Sequence, residues 1–391
     1  MPIARGTAVI MAAGRRPRSS GGSGDRVCTR ICRSARVPTR GMRPESVRGT
    51  KTLVTDHRAP HRARVTGLLV PLVLALAGCS EVPAEAPEPP GAAEPADSPA
   101  LATDPAGSVV ALAPDAEGMI FDPVTGLLAV AVRDPNRLVL VDGATGTPVR
   151  EVPLPGHARH LQLAAPGGPV LVPAEDSNSL VEVALPGGEA TVTPVGTYPH
   201  DAARVASGQV LVGDERGGTL SIVADGAVTS TLDSQTQPGG VAVVGDIAGV
   251  VDVGAFTLTS YDVPAGELLD VADAGHGPTH LVADTRGRFL VADTRGDAVL
   301  TFTADPLRKT ARYPLPGTPY GLAYDATDQV LWVTLTAINE VVGLSTAGDE
   351  LTEVARFPTV RQPNTVAVDP TTGRVFVGGR STGDLELIDP R

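Results

Sequence analysis

Seven stretches of this 391-residue chain line up with one another at a nearly constant spacing. They begin at Gly118, His160, Asp201, Gly240, His280, Gly321 and Thr365, which lie 42, 41, 39, 40, 41 and 44 residues apart. So regular a period limits the chain to architectures made from one repeated supersecondary unit. Each unit has the same order. A position often held by proline (Pro199, Pro238, Pro278, Pro319, Pro363) precedes a short alternating apolar strand and a polar turn. A second strand such as "FLVAD" or "LWVTL" follows, then a polar loop, a third strand and a more variable fourth. Four short antiparallel strands in about 40 residues mark a propeller blade. The expected fold is all-β, a seven-bladed β-propeller over residues 107–391. A β-sandwich with repeated turns would not need seven matched periods. The last unit reaches Arg391 after three strands, while "GSVVALAP", residues 107–114, precedes the first unit. That N-terminal strand can complete the seventh blade and close the ring, leaving no unpaired edge. Aromatics at 3% with 44 Gly and 36 Pro suit such a turn-rich β chain better than a helical bundle.

Charge divides the chain elsewhere. Residues 1–64 carry 15 basic and 3 acidic side chains, a net of +12, against 17 basic and 41 acidic afterwards, a net of −24. Between the two parts, Arg58, His61, Arg62 and Arg64 flank the apolar run Val65–Ala77, which has the length of a signal-peptide core. It is too short for a span, which needs roughly 20 apolar residues. The run ends in Leu76, Ala77, Gly78 and Cys79. This ending resembles the lipobox of bacterial lipoproteins, which implies lipidation at Cys79 and an extracytoplasmic, membrane-anchored protein. Residues 58–78 are then the signal peptide. Residues 1–57 read either as a disordered basic extension or as a start placed too early; Cys28 and Cys32 within them have no second pair to make a metal site. Residues 79–106, rich in Pro, Ala and Glu, are expected to form an extended tether. No cysteine follows Cys79, so the domain must hold together by packing.

"LAVAVRDPNRLVLVD" from Leu128, "LWVTLTAINEVVGL" from Leu331 and "VFVGGRSTGDLELID" from Val375 resemble the YVTN-type β-propeller repeat of bacterial surface and periplasmic proteins. The resemblance covers residues 107–391 and implies the fold. Such propellers include binding proteins, lactone hydrolases and streptogramin-type lyases, so the resemblance does not choose an activity.

Candidate chemistry lies with histidine. His57 and His61 precede the lipobox; the other five, His157, His160, His200, His276 and His280, all fall in the connection into the innermost strand of a blade. His160 and His280 occupy the same register, two residues after the proline position, and His200 follows Pro199 directly. The same face should carry Asp201 and the loops with Glu175, Asp176, Asp214, Glu215, Asp252 and Asp293. Imidazoles and carboxylates around one channel mouth are the composition of a divalent-metal site. The bland alternative is that these residues merely satisfy loop backbone. No serine has a nucleophile-elbow context and no phosphate loop is present. One lysine, Lys309, in an acidic domain argues against nucleic acid, and Trp332 reads as core.

The sequence thus predicts a lipid-anchored, monomeric propeller whose channel face binds a protein, cell-wall or small-molecule ligand without turnover. The alternative is a metal-dependent lyase or hydrolase, or a metal-binding protein, using the histidine cluster. Whether the protein is an enzyme stays open at this point, and so does the identity of any cofactor.

Overall fold

The computed structural model describes residues 91–234 and 236–390. The basic extension, the signal segment and the lipobox residues Leu76, Ala77, Gly78 and Cys79 lie outside the described residues.

The repeat becomes seven four-stranded antiparallel sheets, each ordered from its innermost to its outermost strand. Blades 1 to 6 cover residues 116–153, 162–194, 199–233, 238–273, 278–314 and 319–358. Blade 7 takes its three inner strands from 363–388 and its outer strand from Ser108–Ala111, which pairs antiparallel with Asp384–Leu387. The ring closes as the repeat count requires: the chain's two ends share one blade.

Strand alternation explains the packing. In each inner strand one set of side chains meets the preceding blade and the other meets the next. The buried apolar residues accordingly fall into seven clusters, one per blade-to-blade interface. Phe121, Leu128 and Phe376 join blades 7 and 1; Trp332 and Val341 join Val366 and Val377 between blades 6 and 7. Trp332 is core, stacked on Phe357 at 6.2 Å. Outer strands such as Thr147–Pro153 and Glu267–Asp273 are largely exposed, so it is the contacts between neighbouring blades that hold the ring.

One irregularity recurs. Where the innermost strand begins, the ladder to the second strand slips, between Ala116 and Gly118, Pro199 and Asp201, Pro278 and Leu281, Pro319 and Leu322, and Pro363 and Thr365. The residue before several of these positions is left-handed without being glycine: Asp115, Tyr198, Thr318 and Gln362 have φ near +60°. A bulge of this kind re-aims side chains at the strand's start. The residues it leaves unpaired include Glu117, His200, Thr279, His280, Tyr320 and Asn364.

Residues 91–106, expected to belong to a free tether, instead lie against the blades. Ala93 and Ser98 are buried. Ser98 Oγ donates to the Thr336 carbonyl (2.6 Å) and Ser98 N–H to Gln362 Oε1 (2.9 Å). Gln362 Nε2 donates to the Ala96 carbonyl (2.8 Å), and Asn339 Nδ2 to that of Pro99 (3.1 Å). The segment's apolar side chains are small, with Ala93 buried and Ala92 packed on the core, and blade side chains hydrogen-bond its backbone.

Candidate functional site

Side chains from the entries to the innermost strands meet at one end of the axial channel. His160, from blade 2, stacks on His280, from blade 5, with ring centroids 4.5 Å apart and planes 19° apart. His200, from blade 3, lies 4.6 Å from His160, and Tyr320 of blade 6 meets the edge of His280 at 4.5 Å. Three histidines far apart in sequence therefore share one channel mouth.

The hub is Glu175. It opens the 3-10 turn Glu175–Ser177 between the second and third strands of blade 2 and is fully buried. Its Oε2 is 2.5 Å from His157 Nε2, and its Oε1 accepts from His200 Nδ1 at 2.8 Å. Arg159 Nε lies 3.5 Å away. His157 Nδ1 pairs in turn with Asp176, whose side chain is 55% exposed. A continuous chain of close polar contacts thus runs from solvent at Asp176 through His157 and Glu175 to buried His200. Glu215 lies 3.5 Å from the same His200 Nδ1. Asp201, also buried, sits 3.5 Å from His160 Nδ1 and accepts from Gln162 Nε2 (2.9 Å) and the Val241 amide (2.8 Å).

This environment separates the histidines. Burial opposes a charge on His200, but its hydrogen bond to Glu175 and the charges of Glu215 and Glu175 outweigh it and raise its pKa. The Glu175 hydrogen bond likewise raises His157 against the effect of burial. Burial works against Glu175 as well, yet the two imidazoles hold its carboxyl well below the usual range. His280 moves the other way: burial, and then the neighbouring His160 and His200, push it well below 6.5. Its Nδ1 is shut off from solvent and has no hydrogen-bond partner among the described residues. The mouth therefore combines proton-holding imidazoles with one neutral imidazole.

Two cavities meet at the stacked pair. A chamber of about 400 Å³ runs along the channel, lined by His160, Gln162, Asp201 and His280 at the mouth end and by apolar groups such as Ile120, Leu163 and Leu322. A smaller one of about 70 Å³ lies among Glu94, Pro95, Glu117, Tyr320, Asn364 and Arg380. Arg159, His160 and His280 line both, so the imidazole stack is part of their common wall.

The other sequence candidates lie outside this cluster. Asp293 accepts the amides of His276 and Gly277, each at 2.9 Å, pinning the connector in front of its blade. His276 itself is exposed and outside the cluster. Asp214 is buried and accepts from Ser221 Oγ (2.7 Å) and Thr219 Oγ1 (3.1 Å); burial raises its carboxyl to about 6. Asp252 accepts from the Thr236 and Gln237 amides. Among the described residues no three His, Cys, Asp or Glu side chains are grouped to hold a metal ion. His160 and His280 present ring faces to each other at 19°, and His200 is tilted at 50° to His160.

Arg159 and Tyr320 did not stand out in the sequence. Both follow the proline position by one residue, the register of His200, so the repeat carried the signal. Tyr198 was also missed; its hydroxyl is 3.3 Å from His157 Nε2, and Arg216 lies over its ring at 3.5 Å.

No protein-family model and no curated protein matches this sequence. Solved structures do. Hydrazine synthase from Kuenenia stuttgartiensis is 16% identical over 71% of this chain and 96% of its own, with a TM-score of 0.61. A catalytically inactive histidine-to-alanine variant of virginiamycin B lyase from Staphylococcus aureus, with quinupristin, is 13% identical over 72% and 98%, TM-score 0.60. The Cps50 (Swd1) β-propeller domain of Myceliophteria thermophila is 14% identical over 73% and 100%, TM-score 0.60. At these identities the likeness establishes the fold alone, and that fold is a seven-bladed β-propeller.

Proposed function

We propose that this protein is an extracytoplasmic lipoprotein, anchored through lipid on Cys79, whose YVTN-type propeller binds a small ligand in its axial channel without turnover. The observation that carries this reading is the stack of His160 on His280 over a chamber of about 400 Å³. That volume falls within the range of small-molecule sites, as does a mainly apolar wall with a few polar groups at one end. The unpartnered, neutral His280 Nδ1 favours a ligand with an apolar body and one polar head able to hydrogen-bond an imidazole.

The test is a small-molecule screen by thermal shift and native mass spectrometry on the full chain. A ligand that stabilises the protein should lose that effect in His280→Ala and His160→Ala. Ligands that stabilise all three chains equally would contradict the reading. The anchor is checked by mass spectrometry of Cys79, with Cys79→Ser expected to release the protein from the membrane fraction.

A second reading, acid–base catalysis by a lyase or hydrolase, is favoured by one observation: the Asp176–His157–Glu175–His200 chain can hold and pass a proton. The same ligand, if consumed by the wild type and bound unchanged by His200→Gln, would decide for this alternative. Its divalent-metal form has no ligand set among the described residues.

A further inference from the structure

The mouth is already partly covered by the chain's own N-terminal segment. Gly91–Pro99 crosses from blade 5 to the junction of blades 6 and 7. The Gly91 carbonyl accepts from Arg295, buried Ala93 packs beside Gly277, and the Ala96 amide donates to Thr336 Oγ1 at 3.0 Å. Arg361 Nη2 donates to the Ser98 carbonyl at 3.0 Å. The blades bind chiefly backbone, together with two small side chains, which is how grooves recognise extended, proline-rich peptides. At the centre of the crossing, Glu94 and Pro95 line the small cavity with Arg159, Arg380, Tyr320 and Asn364. The charged groups facing that cavity are Arg159 and Arg380 against Glu94 and Glu117, and Arg380 is paired with Glu117 at 3.0 Å. Without Glu94 the cavity has one more cation than anions. Of the other carboxylates acting on Arg159, Glu175 already holds two histidines and Glu117 pairs with Arg133 and Arg380.

We propose that this face of blades 5 to 7 is an acceptor groove for an extended acidic peptide flanked by proline, and that Gly91–Pro99 occupies it in cis. Exposed Glu94 then marks, on the rim of the cavity that Arg159 and Arg380 line, the place a ligand carboxylate would take, and the strap controls access to the histidine mouth. The control, though not the groove, rests on the reading of that mouth as the way into a ligand chamber. A segment joined directly to its site competes at an effective concentration of about millimolar. An outside peptide therefore meets a groove that is mostly filled, and its apparent affinity falls by the fraction left open.

The experiment uses the full chain and a fluorescein-labelled peptide of residues 91–99. Ala93→Arg with Ser98→Pro removes the buried methyl fit, the hydroxyl and the amide that hold the strap, and leaves the groove intact. By fluorescence anisotropy the peptide should bind this released chain about tenfold or more tighter than wild type. The same peptide with glutamine in place of Glu94 should lose most of that gain. In wild type the Ala96 and Ser98 amides should be protected from exchange, and the Ala96 amide should exchange faster in the released chain. Equal binding to both chains, or binding to neither, overturns the proposal, as does free exchange of those amides in wild type. If the peptide behaves as stated but His160→Ala and His280→Ala spare every channel ligand, the functional reading falls and the groove stands.

Discussion

The two faces of the propeller use carboxylates differently. On the face away from the histidines, Asp142 and Asp369 follow the third and first strands of their blades and accept amides two or three residues ahead, whereas Asp122 adds to its own turn the Gly167 amide of the next blade (2.7 Å). Asp142 takes the Ala144 and Thr145 amides, and Asp369 takes the Thr371 amide and Thr372 hydroxyl. These are local turn bonds, and they recur because the repeat recurs. On the mouth face, Glu175 binds side chains 18 and 25 residues away in two blade connections, and Glu117 bridges Arg133 and Arg380 across the ring's closure. A carboxylate whose lone pairs are taken up by its own turn is part of the scaffold. One that reaches between blades sets the charge of its neighbours, and the mouth is where such carboxylates gather.

The sharpest way to break this contrast is Glu175→Ala. Removing one partner of a buried ionic group costs about 3–5 kcal/mol, which corresponds to a fall in Tm on the order of 10 °C. The sign of its pH dependence follows from the shifts. The raised His157 and His200 contribute stability fully present below their ordinary value of 6.5 and lost as pH rises through their folded values. The depressed Glu175 contributes above its ordinary 4.5 and loses that as pH falls. Urea unfolding should therefore show the largest gap between wild type and variant from pH 4.5 to 6.5.

Asp214→Asn should be smaller and opposite. Its carboxyl is raised to about 6, so in wild type the fold bears a charge penalty above that pH which is absent below 3.8. The variant should be more stable than wild type at pH 8 by on the order of 2 kcal/mol, and no more stable at pH 3.5, by thermal melts at the two pH values. Asp142→Ala, on the opposite face, should cost less than about 1 kcal/mol. It should leave histidine titrations unmoved, as read by NMR.

The sequence carried the ring, its blade count and its closure, because strand alternation and turn residues recur at every period. It also carried the shared register of His160 and His280. It did not reveal which acids matter: Glu175, Asp214 and Asp293 all end or follow a second strand, and only the packed ring shows that Asp293 faces amides while Glu175 faces imidazoles. The strap was illegible for a different reason. Nothing in "GAAEPADSP" is amphipathic, and the bonds that hold it come from Thr336, Asn339, Arg361 and Gln362, about 240 to 265 residues away.

The central claim is that one mouth holds histidines in opposite protonation states. Nitrogen-15 NMR of the imidazoles through a pH titration tests it directly. The account predicts that His200 keeps its proton above pH 6.5 and that His280 is neutral well below it, with the His200 midpoint falling in Glu175→Gln. A shared midpoint near 6.5 for both would contradict it.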